Sequence, residues 1–174
     1  MTEKIRASFS RDAIVAVSSQ EAQSLYDQAR FGELVEGKFQ YSLAEALYLL
    51  EKGKMDIFDK KKKIDADEFV KRASKKDPRF WTRYCVFRDM RSRGYIVKTA
   101  LKFGADFRVY ERGKKPGEEH AKWIVYPVHE SEGLTWYEFA AKNRVAHSTK
   151  KNLLLGIVDD EGDVTFYQIS WIRP

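Results

Sequence analysis

Three histidines and one cysteine are few enough to weigh singly, and each sits in a different setting. His129 falls in the polar run His-Glu-Ser-Glu-Gly and reads as a solvated loop residue. His147 lies in a helical stretch beside Val145 and Ala146, where a helix-surface or core-edge imidazole is the ordinary outcome. His120 follows Gly-Lys-Lys-Pro-Gly-Glu-Glu and precedes the apolar run Ala-Lys-Trp-Ile-Val-Tyr-Pro-Val. A loop that delivers an imidazole to the start of a strand keeps it both exposed and held, as catalysis requires. Cys85 shares the apolar rhythm of Trp81, Tyr84, Val86 and Phe87 and reads as core packing. A lone cysteine also rules out an internal disulfide.

Several chemistries lack their residues. There is no His-x-x-x-His and no Asp/Glu-x-Asp pair with a nearby histidine in one element, so no metal site is expected. Neither a phosphate-cradling G-x-x-x-x-G-K-S/T loop nor a G-x-S-x-G elbow is present, and no cofactor is expected. What remains is metal-free chemistry at phosphate. RNA carries its own nucleophile in the 2′-hydroxyl beside each phosphate. Internal attack then needs a base for the 2′ proton, an acid for the departing 5′-oxygen and a cation for the charge that builds on phosphate. Histidine suits the acid, and lysine is a compact cation for a nonbridging oxygen. Tyrosine becomes a base only if a neighbouring cation lowers its pKa from about 10. The chain offers all three types, but spacing alone does not select among them.

The elements that must hold such residues can be read from periodicity and caps. Residues 4–17 predict two short strands about a turn at Ser10–Asp12, then a helix from Ser19 to Arg30 ended by Gly32. Gly37–Gln40 reads as extended. Ser42 with Glu45 forms a capping box for a helix closed by Gly53. Met55–Phe58 reads as a strand and Lys60–Lys63 as a charged turn, and Asp65 with Glu68 opens a helix to about Lys75. The polar run Ser74–Pro78 is the expected boundary between residues 1–77 and 78–174. Beyond it come a helix over Arg79–Arg93 and strands at Tyr95–Leu101, Phe107–Glu111 and Trp123–Val128. A helix capped by Thr135 and Glu138 runs to about Ser148, followed by strands at Asn152–Val158 and Val164–Ile172. The fold class is therefore α+β: a small N-terminal mixed α/β domain, and a C-terminal domain with a central mixed sheet flanked by helices.

Composition agrees. Apolar residues make up 43% of the 174 and charged residues 33%, enough for real cores and against global disorder. No apolar run approaches the roughly 20 residues that cross a bilayer, and MTEKIRASFS has no apolar signal region, so a cytoplasmic protein without membrane contact is expected. The net charge of +6 favours a polyanionic partner without naming it.

Three ordered stretches carry a resemblance. RSRGYIVKTALKFGADFRVYERG, PGEEHAKWIVYPV and NRVAHSTKKNLLLGIVDDEGDVTFY look like the archaeal tRNA-splicing endonucleases, of the short single-repeat homotetrameric type. The resemblance places the family's catalytic tyrosine on Tyr110, its histidine on His120 and its lysine on Lys151, with Lys150 one residue away. It implies roles of general base, general acid and transition-state stabiliser. It also implies RNA-binding roles for Arg144 and Trp171, whose planar faces would grip an extruded base.

The implied activity is excision of introns from precursor tRNA, by cutting both strands of a bulge-helix-bulge and leaving 2′,3′-cyclic phosphate and 5′-hydroxyl ends. Two cuts related by near-twofold symmetry call for paired copies. The family forms a homotetramer, a dimer of dimers. The last strand would serve the dimer, and the acidic turn Asp159, Asp160, Glu161 and Asp163 would enter a basic cleft, for which Arg88, Arg91, Arg93 and Lys98 are available. Two other readings stay open: a catalytic subunit of a heteromeric splicing endonuclease, and an RNA-binding module without catalysis.

Overall fold

The computed structural model describes residues 3–10 and 13–174. Among the described residues, five α-helices and two sheets are found, and the chain divides into two units, Met1–Trp81 and Thr82–Pro174. No helix among the described residues is long and apolar enough to cross a membrane.

In the first unit, β1 (Ile5–Phe9) and β2 (Ile14–Val17) pair antiparallel, with the Ser10 N–H donating to the Ala13 carbonyl at 2.9 Å. Arg11 and Asp12 of the expected turn lie outside the described residues. Helix α1 (Gln20–Ala29) is capped by Ser19 and ends at Arg30, whose φ of 55° is left-handed, not at Gly32 as expected. Two strands escaped the sequence reading. β3 (Glu33–Val35) pairs with β4 (Lys38–Tyr41) across Glu36 and Gly37, both at positive φ, the backbone that a tight hairpin needs. β6 (Lys62–Ile64) folds back on β5 (Met55–Asp59) within the run expected to be a charged turn. Helix α2 (Leu43–Glu51) has the expected reciprocal box between Ser42 and Glu45. Helix α3 (Ala66–Lys76) is capped by Asp65. The sheet order is β3-β4-β2-β1-β5-β6, mixed because β1 and β5 run parallel. Alternate residues Ile5, Ala7, Ile14, Phe39 and Ile57 are buried on one face, and α2 packs over β4 and β5.

The second unit begins within helix α4 (Phe80–Ser92). Its sheet has the order β11-β10-β9-β8-β7, built from β7 (Ile96–Thr99), β8 (Phe107–Tyr110), β9 (Trp123–His129), β10 (Asn152–Val158) and β11 (Val164–Ile169). All neighbours run antiparallel except β9 and β10, which are joined through helix α5 (Trp136–Ser148). On one face Ile124, Tyr126, Leu153 and Leu155 form a core with Ala146 of α5. On the other, Gly156 of β10 lies against α4: a Cβ there would sit 2.8 Å from Val86 Cγ2. The sheet is thus a middle layer between two helices, and the α+β expectation holds for the whole chain.

Two ends differ from the sequence reading. Leu101 is not in a strand; it opens a one-turn 3-10 helix, Leu101–Phe103, and is 70% exposed. The last strand stops at Ile169, so Trp171 and Ile172 lie beyond it. Helix α5 ends in a Schellman closure: Lys150 stands at φ 55°, its N–H donates to the His147 carbonyl at 3.0 Å, and the Lys151 N–H donates to the Ala146 carbonyl at 2.9 Å.

Both close fits make predictions. Gly156→Ala should destabilise the protein by about 1–3 kcal/mol, since a strand pressed on Val86 must shift, and thermal unfolding would register it. Lys150→Gly should stabilise it by about 1 kcal/mol by removing the left-handed penalty of a side chain. An unchanged or lower melting temperature would contradict that.

Candidate active site

Strand direction decides which of the candidate residues meet. β8 runs antiparallel to β9, so the end of β8 lies beside the start of β9. β9 and β10 run parallel, so their starts are adjacent. Val109, Trp123 and Asn152 occupy one row across these three strands. One residue further out, Tyr110, Lys122 and Lys151 continue the row; the Lys122 N–H donates to the Val109 carbonyl and the Asn152 N–H to the Lys122 carbonyl, each at 2.9 Å. Neighbouring strands are about 4.8 Å apart, which puts the backbones of Tyr110 and Lys151 about 10 Å apart. Long side chains can close that gap around one phosphate.

Each candidate is held differently. Tyr110 is buried at 4% exposure, its ring in a small cluster with Ile96 and Ala121. Tyr126 on neighbouring β9 is pushed up to about 12 by burial first and by Asp106 second, so it stays protonated. His120 is exposed, at the exit of the loop that joins β8 to β9. Ion pairs brace that loop. Lys114 Nζ meets Glu119 at 2.7 Å near the tip, and Lys122 pairs with Glu111 at the neck. Lys114 holds the Glu119 carboxyl below its usual range, with a smaller contribution from His120. Lys151 is half-buried, its ammonium donating to the Thr149 carbonyl at 3.0 Å and lying 5.9 Å from the Phe103 ring centroid. Lys150 is exposed and serves the helix end.

Sequence reasoning missed Lys122 and Glu111. Their pairing spans a loop, and nothing local marks it until the strand register is known. His147, read as a helix-surface or core-edge residue, is exposed on α5, and its ring lies against Trp171, ring centroids 4.3 Å apart, beside a cleft of about 170 Å³ that Lys151 also lines. Arg144 is exposed on α5, its guanidinium 6.0 Å from the Tyr137 ring centroid. No hydrogen bond or cation–π contact joins Arg144 to Trp171 among the described residues.

The acidic turn is a built structure whose carboxylates are not equivalent. The Asp159 carboxylate accepts the N–H groups of Glu161 and Asp163, each at 2.9 Å, so it shapes the turn. Asp160, Glu161 and Asp163 are exposed. His129, expected to be a solvated loop residue, lies at the base of this turn, with Nε2 3.3 Å from Asp160 and Nδ1 2.7 Å from the Ser131 hydroxyl. The basic residues suggested for a receiving cleft are engaged in their own chain. Arg88 reaches the Gly162 carbonyl at 3.5 Å, Arg91 donates to the Val97 carbonyl, Arg93 pairs with Asp89, and Lys98 is buried.

Known proteins match both halves of the chain. The N-terminal domain of the tRNA intron endonucleases matches residues 5–70, and their catalytic C-terminal domain matches residues 80–166. The tRNA-splicing endonuclease of Thermococcus gammatolerans is 40% identical over 164 residues, 94% of this chain and 96% of that protein. That of Nanoarchaeum equitans is 49% identical over 138 residues, 76% of this chain and 88% of its own. That of Methanothermobacter thermautotrophicus is 38% identical over 164 residues. With both domains matched in order and such identity over nearly its full length, this chain belongs to the tRNA intron endonuclease family.

Proposed function

We propose that this protein excises introns from precursor tRNA by cutting both strands of a bulge-helix-bulge, without a metal ion. The observation that carries the reading is the meeting of Tyr110, the His120 segment and Lys151 at one end of the second sheet. In the proposed reaction the 2′-oxygen attacks the adjacent phosphorus and the bond to the 5′-oxygen breaks. Tyr110 takes or orients the 2′ proton. His120, as imidazolium, gives a proton to the leaving 5′-oxygen. Lys151 neutralises the charge that builds on the nonbridging oxygens. The products are a 2′,3′-cyclic phosphate and a 5′-hydroxyl. The braced loop supports this division of labour, since it carries the exposed His120 two residues before Lys122, which continues the row of Tyr110.

Cleavage of a bulge-helix-bulge RNA in excess EDTA, with end-group analysis, tests the reaction. The expected result is full activity and cyclic phosphate ends; a requirement for Mg²⁺ would overturn the mechanism. His120→Ala should lower kcat by about 10²–10⁴-fold, the usual contribution of a general acid. Lys151→Ala should lower it by about 10²–10³-fold, whereas Lys150→Gly should leave it unchanged. Activity of the purified single chain would separate it from a subunit that needs a different partner, and binding without cutting would favour a non-catalytic RNA-binding module.

Homotetramer assembly through the acidic turn is part of the same proposal. It is supported by three exposed carboxylates on a preformed turn and by β11 at the sheet edge, with Tyr167 57% exposed. Replacing Asp160, Glu161 and Asp163 by lysine, with Asp159 kept as the turn's own anchor, should yield dimers in sedimentation. Persisting tetramers would count against it.

A further inference from the structure

On α5, Arg144 and His147 stand three residues apart, a spacing that puts side chains on one helix face, and Lys151 follows just beyond the left-handed Lys150 that closes the helix. His147 is exposed, and neither of its ring nitrogens bonds to protein among the described residues. Its contact is the indole of Trp171, at 4.3 Å between centroids with the planes 40° apart. Trp171 needs such a support. β10 starts at Asn152, because the left-handed Lys150 turns the chain away before it, so β11 finds no partner beyond its last pair, Leu153 with Ile169. An indole two residues past the end of a strand, and 42% exposed, has no ladder to hold it. The stacked pair borders a cleft of about 170 Å³ lined also by Asn143, Lys151, Asn152 and Ser170. Amide, hydroxyl and ammonium groups around an aromatic wall are what an unpaired nucleotide takes: π-stacking for the base, hydrogen bonds for its edge and a cation for its phosphate.

We infer that His147 is a positioning residue for RNA: it fixes the indole of Trp171 at the mouth of the cleft, so that an unpaired nucleobase stacks there with its phosphate toward Lys151. The inference rests on the RNA-cleaving reading above. The Arg173 guanidinium also lies near this indole, 5.4 Å from its centroid.

The test is the equilibrium Kd for a bulge-helix-bulge RNA carrying a non-cleavable 2′-deoxy nucleotide at each cut, with kcat on the cleavable RNA read separately. His147→Ala should weaken binding about tenfold, within the range of one lost base–aromatic stack. It should leave kcat at saturation within about twofold and the melting temperature unchanged. His147→Phe, which keeps a ring against the indole, should restore affinity. On RNA with abasic bulge nucleotides, wild type and His147→Ala should bind equally. An unchanged Kd in His147→Ala, or a loss that persists on abasic RNA or is not rescued by phenylalanine, would overturn the inference. A wild-type protein that binds the 2′-deoxy RNA but never cleaves the all-ribose bulge-helix-bulge would instead overturn the parent reading, and the Kd series would still decide the role of His147.

Discussion

The parallel pairing of β9 with β10 is the constraint on which the rest of the C-terminal unit depends. Two parallel strands cannot be joined by a tight turn, so a crossover must carry the chain from the end of one back to the start of the other. Helix α5 makes that return, covering one sheet face with Ala146 and Phe139 as it does so. The consequence is chemical. Residues that leave the helix and enter β10 arrive beside the start of β9, where the β8–β9 loop also ends. A tyrosine, a histidine-bearing loop and a lysine from three separate stretches are thereby delivered to one edge.

Local geometry then sets how firmly each is held. The αL residue at Lys150 gives the helix a defined end and fixes the direction in which Lys151 leaves it. The penalty of placing a side chain there, about 1–2 kcal/mol, is offset by two satisfied carbonyls. Across the sheet, Gly156 lets α4 approach β10 to contact distance. The same helix reaches the acidic turn: Arg88 donates to Gly162, and a Cβ on that glycine would lie 3.4 Å from Cys85 Sγ. Cys85 is therefore a packing residue, as its apolar setting suggested. The turn is presented as a preformed shape with three of its carboxylates outward.

Legibility in the sequence followed the range of the interaction. The capping boxes at Ser42 and Thr135 were readable because their partners lie three residues apart, and both helices start where expected. The strands β8, β9 and β10 were readable from apolar runs bounded by polar loops. The failures have local causes that only neighbours reveal. Leu101 continues an apolar run, yet the chain closes on Ala100, whose carbonyl accepts from Phe103 and Ala105. Trp171 and Ile172 look like strand, yet β10 offers them no partner. β3 and β6 are three residues each, too short for periodicity to mark, and are held by hairpin turns.

The sequence by itself determined the two-part α+β organisation, the helix starts and the residue types able to perform acid, base and cationic roles, because these rest on local propensity and composition. Its ordered segments also carried the family. The order of the strands and their register decided the rest: that Tyr110, Lys122 and Lys151 share a row, that Glu111 and Lys122 close the loop bearing His120, and that His147 meets Trp171. These are contacts between residues far apart in the chain. Their formation depends on which strand lies beside which, and in which direction, and no periodicity within a single segment encodes that.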